Sequence, residues 1–284
     1  MKKFILGAFA DEAGDDIDSQ IEALHANNVP LLELRLIHGE HTSSMKPADA
    51  KELKKKLDAN DVKIWSMGTN IGKIGIKDDF KPHLELFKNT VEISQIFGAE
   101  CIRMFSFFIP EGDDPEIYRD EVMERLLRLA EVAKGTGLTL CHENEKAIYG
   151  DTALRCKDIC DTLPMYKAIF DPANFIQCHQ ETLPAWEIME PYIKYMHIKD
   201  CIWDGDVVPA GKGDGHIPEL LAKYEKIGGE KLTLEPHLTV FNGLSSMERE
   251  GDTSKVGENE NFVFPDRKTA FAAAVKYLRD IIEK

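Results

Sequence analysis

The sequence predicts an α/β chain forming a single (β/α)8 TIM barrel over residues 1–284, and three observations carry that expectation. Eight short aliphatic runs alternate with longer stretches at helical spacing. Each run is apolar on both parities, as a parallel strand covered on both faces requires; a half-exposed antiparallel strand would alternate. The length suits eight βα units. A doubly wound sheet would carry a glycine fingerprint after its first strand, and GAFADEAG has none. No repeat or linker divides the chain.

In order, the strands are KFILGAF at 3–9, PLLELR at 30–35, VKIWSM at 62–67, ECIRMF at 100–105, GLTLCH at 137–142, YKAIFD at 166–171, KYMHIK at 194–199 and KLTLEP at 231–236. The basic, apolar N-terminus reads as the first strand rather than a secretory leader, because Asp11 and Glu12 cut the apolar run short. Ile17, Ile21 and Leu24 mark the first helix by their spacing. Val122, Leu126, Leu129 and Ala133 mark another, entered through Asp114 and Pro115. Glycines in KGTG at 134–137 and IGGE at 227–230 end helices just before strands. Asp266 begins the last helix, with Phe271, Ala274, Val275 and Leu278 on its apolar face. Between the eighth strand and that helix, residues 238–264 form a long polar connection, expected on the catalytic face as a loop or lid.

A formal charge of −15 and a pI near 5.1 weigh against nucleic-acid partners, since phosphate backbones are held by Lys and Arg. No apolar run approaches the roughly 18 residues of a membrane span. Six cysteines are too sparse for a disulfide framework and point to a reduced, cytoplasmic setting. Cys156 and Cys160, at i and i+4 on a helix, read as core. The serine-nucleophile pattern GxSxG is absent from the sequence.

The ends of the last four strands carry Glu143, Asp171, His197 and Glu235. Singly, an acid there would be a helix cap or rim charge, and a histidine a core residue. Four consecutive strands contributing such residues at one level point instead to a metal centre. Three carboxylates meeting within about 4 Å would repel by roughly 12 kcal/mol in total at an effective dielectric near 20, a cost that a divalent cation removes. Three oxygens and one imidazole nitrogen suit Mn²⁺ first, with Mg²⁺, Co²⁺ or Zn²⁺ as alternatives, and octahedral geometry leaves two positions for substrate oxygens.

The surrounding motifs are HEN at 142–144, DPAN at 171–174, HIKD at 197–200, GKG at 211–213 and LEPH at 234–237, with looser FADEAG, LELR, IGK and IRMFSF in the first half. In this order they resemble the sugar isomerase and epimerase branch of the xylose-isomerase-like TIM barrels, whose relatives include ketose epimerases and inosose dehydratases. The resemblance implies one catalytic divalent ion held by Glu143, Asp171, His197 and Glu235, with Glu143 and Glu235 reaching a sugar from opposite faces. Ketose epimerases of this kind carry histidine three residues after the aspartate, where this chain has Asn174. Apurinic endonucleases of the same superfamily need further histidines on the third, fourth and sixth strands; Ser66, Met67, Arg103 and Asn174 stand there instead.

Arg103, Lys199 and Lys73, the last in the NIGKIGI loop, are candidates to hold substrate together with Asn174, His142 and His237. The two histidines are expected as hydrogen-bonding partners behind the ligands. Arg35 is expected to balance nearby acids, Asp11 and Glu12 to be rim or helix-entry charges, and GKGDG at 211–215 to be a flexible turn. The functional expectation is a metal-dependent isomerase or epimerase of a sugar or polyol ketone, working by proton transfer through an enediolate. Its rivals are a dehydratase or lyase acting on a keto-inositol or 3-oxo-glycoside, and a non-catalytic sugar-binding barrel. A small carbohydrate and a second copy of the chain are the partners it allows.

Overall fold

The structure is a computed structural model that describes residues 4–249, 255–257 and 259–283. Eight parallel strands close into one barrel: β1 Ile5–Ala8, β2 Leu31–Leu34, β3 Lys63–Gly68, β4 Cys101–Met104, β5 Thr139–Glu143, β6 Tyr166–Phe170, β7 Ile193–Ile198 and β8 Lys231–Leu234. All eight overlap the runs expected from the sequence, with Gly68, Glu143 and Ile193 each lying one residue beyond its run. β1 pairs with both β2 and β8, which leaves no edge. Closure removes the exposed row of backbone donors and acceptors that an open sheet would present.

Helices α1 Ile17–Ala26, α2 Pro47–Ala59, α3 Phe80–Phe97, α4 Arg119–Ala133, α5 Ala153–Thr162, α6 Pro172–Gln177, α7 Thr182–Met189, α8 Ile217–Lys226 and α9 Arg267–Ile282 follow the strands. Asp266 caps α9 by accepting from the Thr269 N–H at 2.7 Å, as expected. Asp114 caps a 3₁₀ turn, Pro115–Tyr118, that leads into α4. The extra helix is short α6, where the Asp171 carboxylate accepts from the Asn174 N–H at 3.0 Å. Among the described residues no helix is long and apolar enough to cross a membrane. All six cysteines are free thiols, and Cys156 and Cys160 are buried on α5.

Two apolar layers position the site. The larger joins strands to helices; the smaller fills the barrel with Trp65, Cys101, Cys141, Ile169 and Tyr195. Period-two alternation then puts Arg103, Glu143, Asp171 and His197 one layer above, each two residues past a member of that inner plug. Neighbouring strands are staggered in register, so that Glu143 lies opposite Ile169, Ile169 opposite Tyr195, and His197 opposite Thr233.

Candidate functional site

Glu143, Asp171, His197 and Glu235 converge, with one ligand atom from each lying within 4.8 Å of the others, and all four are buried. His197 Nδ1 is 2.9 Å from Glu143 Oε1 and 3.3 Å from Glu235 Oε2. Its other nitrogen, Nε2, is 3.3 Å from Glu33 Oε2. Glu33, on β2 inside the barrel, accepts in turn from the Tyr195 hydroxyl at 2.8 Å and the Ser66 hydroxyl at 3.1 Å. That arrangement holds the imidazole by one nitrogen and presents the other to the carboxylates, as an outer carboxylate does for a metal-binding histidine.

Two observations test whether this set suits a cation. Glu143 Oε2 and Asp171 Oδ2 are buried and accept no hydrogen bond, although each faces a positive side chain. The charges are also crowded. Burial, together with Glu143 and Glu235 and against the pull of Lys199, pushes the Asp171 carboxyl up to about 7. Burial opposes the charge on His197 too, yet Glu143 and Glu33 raise its pKa well above the ordinary histidine value. Without a cation, Asp171 and His197 therefore retain protons that a divalent ion would replace. Three oxygens and a nitrogen in this spacing fit such an ion.

Cations surround the cluster, Arg35 and Arg103 from the opposite wall and Lys199 from the end of β7. Arg35 donates from Nη1 to Glu235 Oε1 at 2.8 Å, from Nε to Asp11 Oδ2 at 2.8 Å, and from Nη2 to Glu12 Oε1 at 3.2 Å. Arg35 thus balances acids, as expected, and Asp11 and Glu12 are its buried partners rather than rim charges. Arg103 Nη1 stands 3.2 Å from Glu143 Oε2. Lys199 Nζ stands 3.0 Å from Asp171 Oδ2 and 3.5 Å from Glu235 Oε2.

A cavity holding about 590 Å³ of empty space opens above, lined by Lys73, Arg103, Asn174, Lys199 and His237 with Glu143 and Glu235. Lys73 reaches it because Gly72, at φ +90°, lets the chain pass against Phe105, whose carbonyl oxygen a β-carbon would meet at 2.1 Å. The ammonium then binds Glu145 Oε2 at 2.9 Å and the Met247 carbonyl at 2.5 Å. His237, two residues past Glu235, stays on the cavity side, with Nδ1 3.1 Å from Glu12 Oε1. His142 has the opposite parity and lies outside the cavity, its Nε2 2.9 Å from the Ser106 hydroxyl.

Asn174 lines the cavity while its amide donates to the Asn144 carbonyl at 2.9 Å and Glu143 Oε1 at 3.4 Å. Asn144, overlooked in the motif HEN, ties β5 to β6: its amide donates to the Asp171 carbonyl and accepts from the Asp171 N–H, both at 2.9 Å. Glu33 was equally readable, since Leu31, Glu33 and Arg35 share one parity. Its partner His197 lies too far along the chain for that parity to reveal. The GKGDG run is not a free turn, because the N–H groups of Gly211, Gly213 and Gly215 all donate to the Asp200 carboxylate at 2.8–3.1 Å.

Part of the 238–264 connection crosses the cavity, where Leu244, Met247, Glu248 and Arg249 line it. Phe241 and Met247 pack on Leu36. Residues 250–254 and 258 of that connection lie outside the described residues.

Solved structures share this architecture. The IolI protein with a bound zinc atom superposes with a TM-score of 0.74 at 15% identity, over 98% of each chain. D-psicose 3-epimerase with D-tagatose, from Clostridium cellulolyticum H10, gives 0.72 at 16%, over 98% of this chain and 99% of that one. The probable 3-DHS dehydratase AsbF from Bacillus anthracis gives 0.71 at 15%, over 97% and 98%. At these identities the likeness speaks to the fold alone. No curated protein matches the sequence. Residues 21–255, most of the barrel, match the family described as xylose isomerase-like TIM barrel, and the chain belongs to that family.

Proposed function

We propose that the protein is a divalent-metal-dependent isomerase or epimerase of a sugar or sugar-like polyol ketone. The observation that carries this reading is the convergence of Glu143 and Glu235 on one imidazole nitrogen of His197, within a buried four-residue set at the floor of a cavity. Glu143, Asp171, His197 and Glu235 would hold the cation, which supplies polarisation of a carbonyl and an adjacent hydroxyl. Mn²⁺ remains the first choice, and the zinc in the IolI structure supports the divalent class.

The chain's own groups then divide the work. One of Glu143 and Glu235 takes the proton from the carbon beside the carbonyl; the other returns a proton, on the opposite face for epimerisation or to the neighbouring atom for isomerisation. Arg103 and Lys199 flank the two carboxylates and stabilise negative charge that develops on substrate oxygens. Asn174, Lys73 and His237 orient hydroxyls, and the segment carrying Leu244 and Met247 covers the cavity as a lid that excludes water. The D-tagatose in the D-psicose 3-epimerase structure supports a ketose substrate. The test is turnover of ketoses in D₂O with metal-loaded protein. Deuterium bound to carbon in the product is expected; a product without it sinks the proton-transfer reading. The likeness to a dehydratase favours loss of water from the same site as the second reading, and product mass separates the two.

A further inference from the structure

The cavity continues beyond the four-residue cluster. Lys146 and Gln177 line both it and a second pocket of about 550 Å³, whose remaining walls include His179, Trp203 and Lys255. Trp203 is 42% exposed, whereas Trp65 and Trp186 are buried at 3% and 0%. Exposed apolar side chains are common on folded proteins and need no explanation singly. Ile117 and Val263 are more exposed than Trp203, but line neither pocket.

Trp203 is also held in place. It sits in the turn between two short strands, Asp200–Cys201 and Val207–Val208, which pair antiparallel. Its backbone N–H donates to Asp214 Oδ2 at 2.6 Å, and the turn closes through Ile202 N–H to the Asp206 carbonyl at 3.0 Å and Gly205 N–H to the Ile202 carbonyl at 2.8 Å. The Asp200 carboxylate anchors the start of this hairpin to three glycine N–H groups. The His179 ring lies 5.9 Å from the indole and tilts across it. The indole face is therefore presented beside the cavity from a hairpin whose backbone is held by these hydrogen bonds.

The charges around the indole are already matched. Lys255 Nζ donates to the Asp204 carbonyl at 2.8 Å and lies 3.4 Å from Asp206, and Lys146 Nζ lies 3.8 Å from Glu248 Oε1. Such a site suits a neutral ring with one apolar face and hydroxyls at its edge, because an indole contributes a large apolar area and the rim supplies polar partners. An anionic group would find no spare positive charge among these lysines.

We propose that this pocket is a second subsite, which takes the sugar or aglycone attached to the ring undergoing reaction, so that the physiological substrate is a glycoside or disaccharide of a polyol ketone. The proposal rests on the metal-dependent reading for the first subsite and adds a recognition surface to it. Asp204 and Gly205 at the turn and Gln177 at the shared wall would meet the hydroxyls, while Trp203 covers the carbon-bound face.

The test compares D-fructose with three ketose disaccharides, lactulose, turanose and isomaltulose, on metal-loaded protein. Trp203 is the exposed indole, so acrylamide quenching of tryptophan fluorescence reports its accessibility. At least one disaccharide should bind about tenfold more tightly than D-fructose, or about 1.4 kcal/mol, and shield Trp203 from the quencher. Trp203→Ala should remove most of that difference between disaccharide and monosaccharide, and Trp203→Phe should restore part of it. Disaccharides that bind no better than D-fructose or fail to bind, an indole still quenched in the saturated complex, or equal losses for both ligands in Trp203→Ala would overturn the subsite. Deuterium exchange run on the same samples separates the two readings. Exchange with D-fructose but no disaccharide gain removes the subsite and leaves the reaction; a disaccharide gain without metal-dependent exchange does the reverse.

Discussion

The two halves of the barrel contribute opposite things to the site. Strands β5–β8 end in Glu143, Asp171, His197 and Glu235, the groups able to hold a cation. Strands β1–β4 and the turns after them contribute Arg35, Arg103, Asp11, Glu12 and the interior Glu33, which balance charge and fix orientation. The difference teaches that a buried acidic cup able to hold a cation is not a property of its carboxylates alone. Without a facing wall of guanidinium groups, carboxylates this deeply buried would take up protons or force the barrel open.

The largest expected effect breaks the ligand half. In His197→Ala, divalent metal affinity measured by calorimetry should fall by more than about 100-fold, beyond the usual cost of losing an outer partner. Retained affinity would mean that the ion sits elsewhere. Next, Arg35→Met attacks the other half: it leaves Asp11, Glu12 and Glu235 buried without their shared cation, and should lower stability of the metal-free protein by about 3–5 kcal/mol in urea unfolding. A loss below about 1 kcal/mol would show that water or protons replace the guanidinium easily.

Glu33→Gln joins the halves in one experiment. It keeps the shape of the tether but removes the charge behind His197, and should weaken metal binding by about 10- to 100-fold. Nitrogen shifts of the His197 ring should report a changed tautomer, and unchanged shifts would remove Glu33 from the site. The smallest effect concerns the mouth. Although burial opposes it, Lys73, with Lys199 and Lys146, holds the Glu145 carboxyl down to about 2, below its ordinary 4.5. A depressed carboxylate contributes stability above its unfolded pKa and loses that contribution as pH falls through the folded one. Lys73→Met should therefore cost about 1 kcal/mol at pH 7 and progressively less between about pH 4.5 and 2. A gap that stays constant with pH would assign the loss to packing over Phe105, whose ring the ammonium faces at 4.4 Å.

Much of this division was readable in one dimension. Runs apolar on both parities marked all eight strands, and acids or histidine at the ends of four of them marked the ligand half. The other half was harder, because Arg35 and Glu33 look like ordinary members of LELR and Asp11 and Glu12 like a helix entry. GKGDG read as a turn for the same reason: nothing local says that Asp200 will gather its N–H groups. His142 and His237 looked equivalent beside their ligands, yet one faces Ser106 and the other the cavity, since they differ in parity relative to the strand end.

The sequence by itself determined the element order, the faces of each strand and the chemical types at their ends, because backbone periodicity and side-chain chemistry are local. Only closure of the barrel decided which charges meet. Arg35 and Glu235 stand 200 residues apart in the chain and 2.8 Å apart in space, and Trp203 comes to border the candidate site's cavity only through a hairpin tied to Asp214 and a wall shared with Lys146 and Gln177. Such distances depend on strand register and loop path together, and no window of sequence contains both.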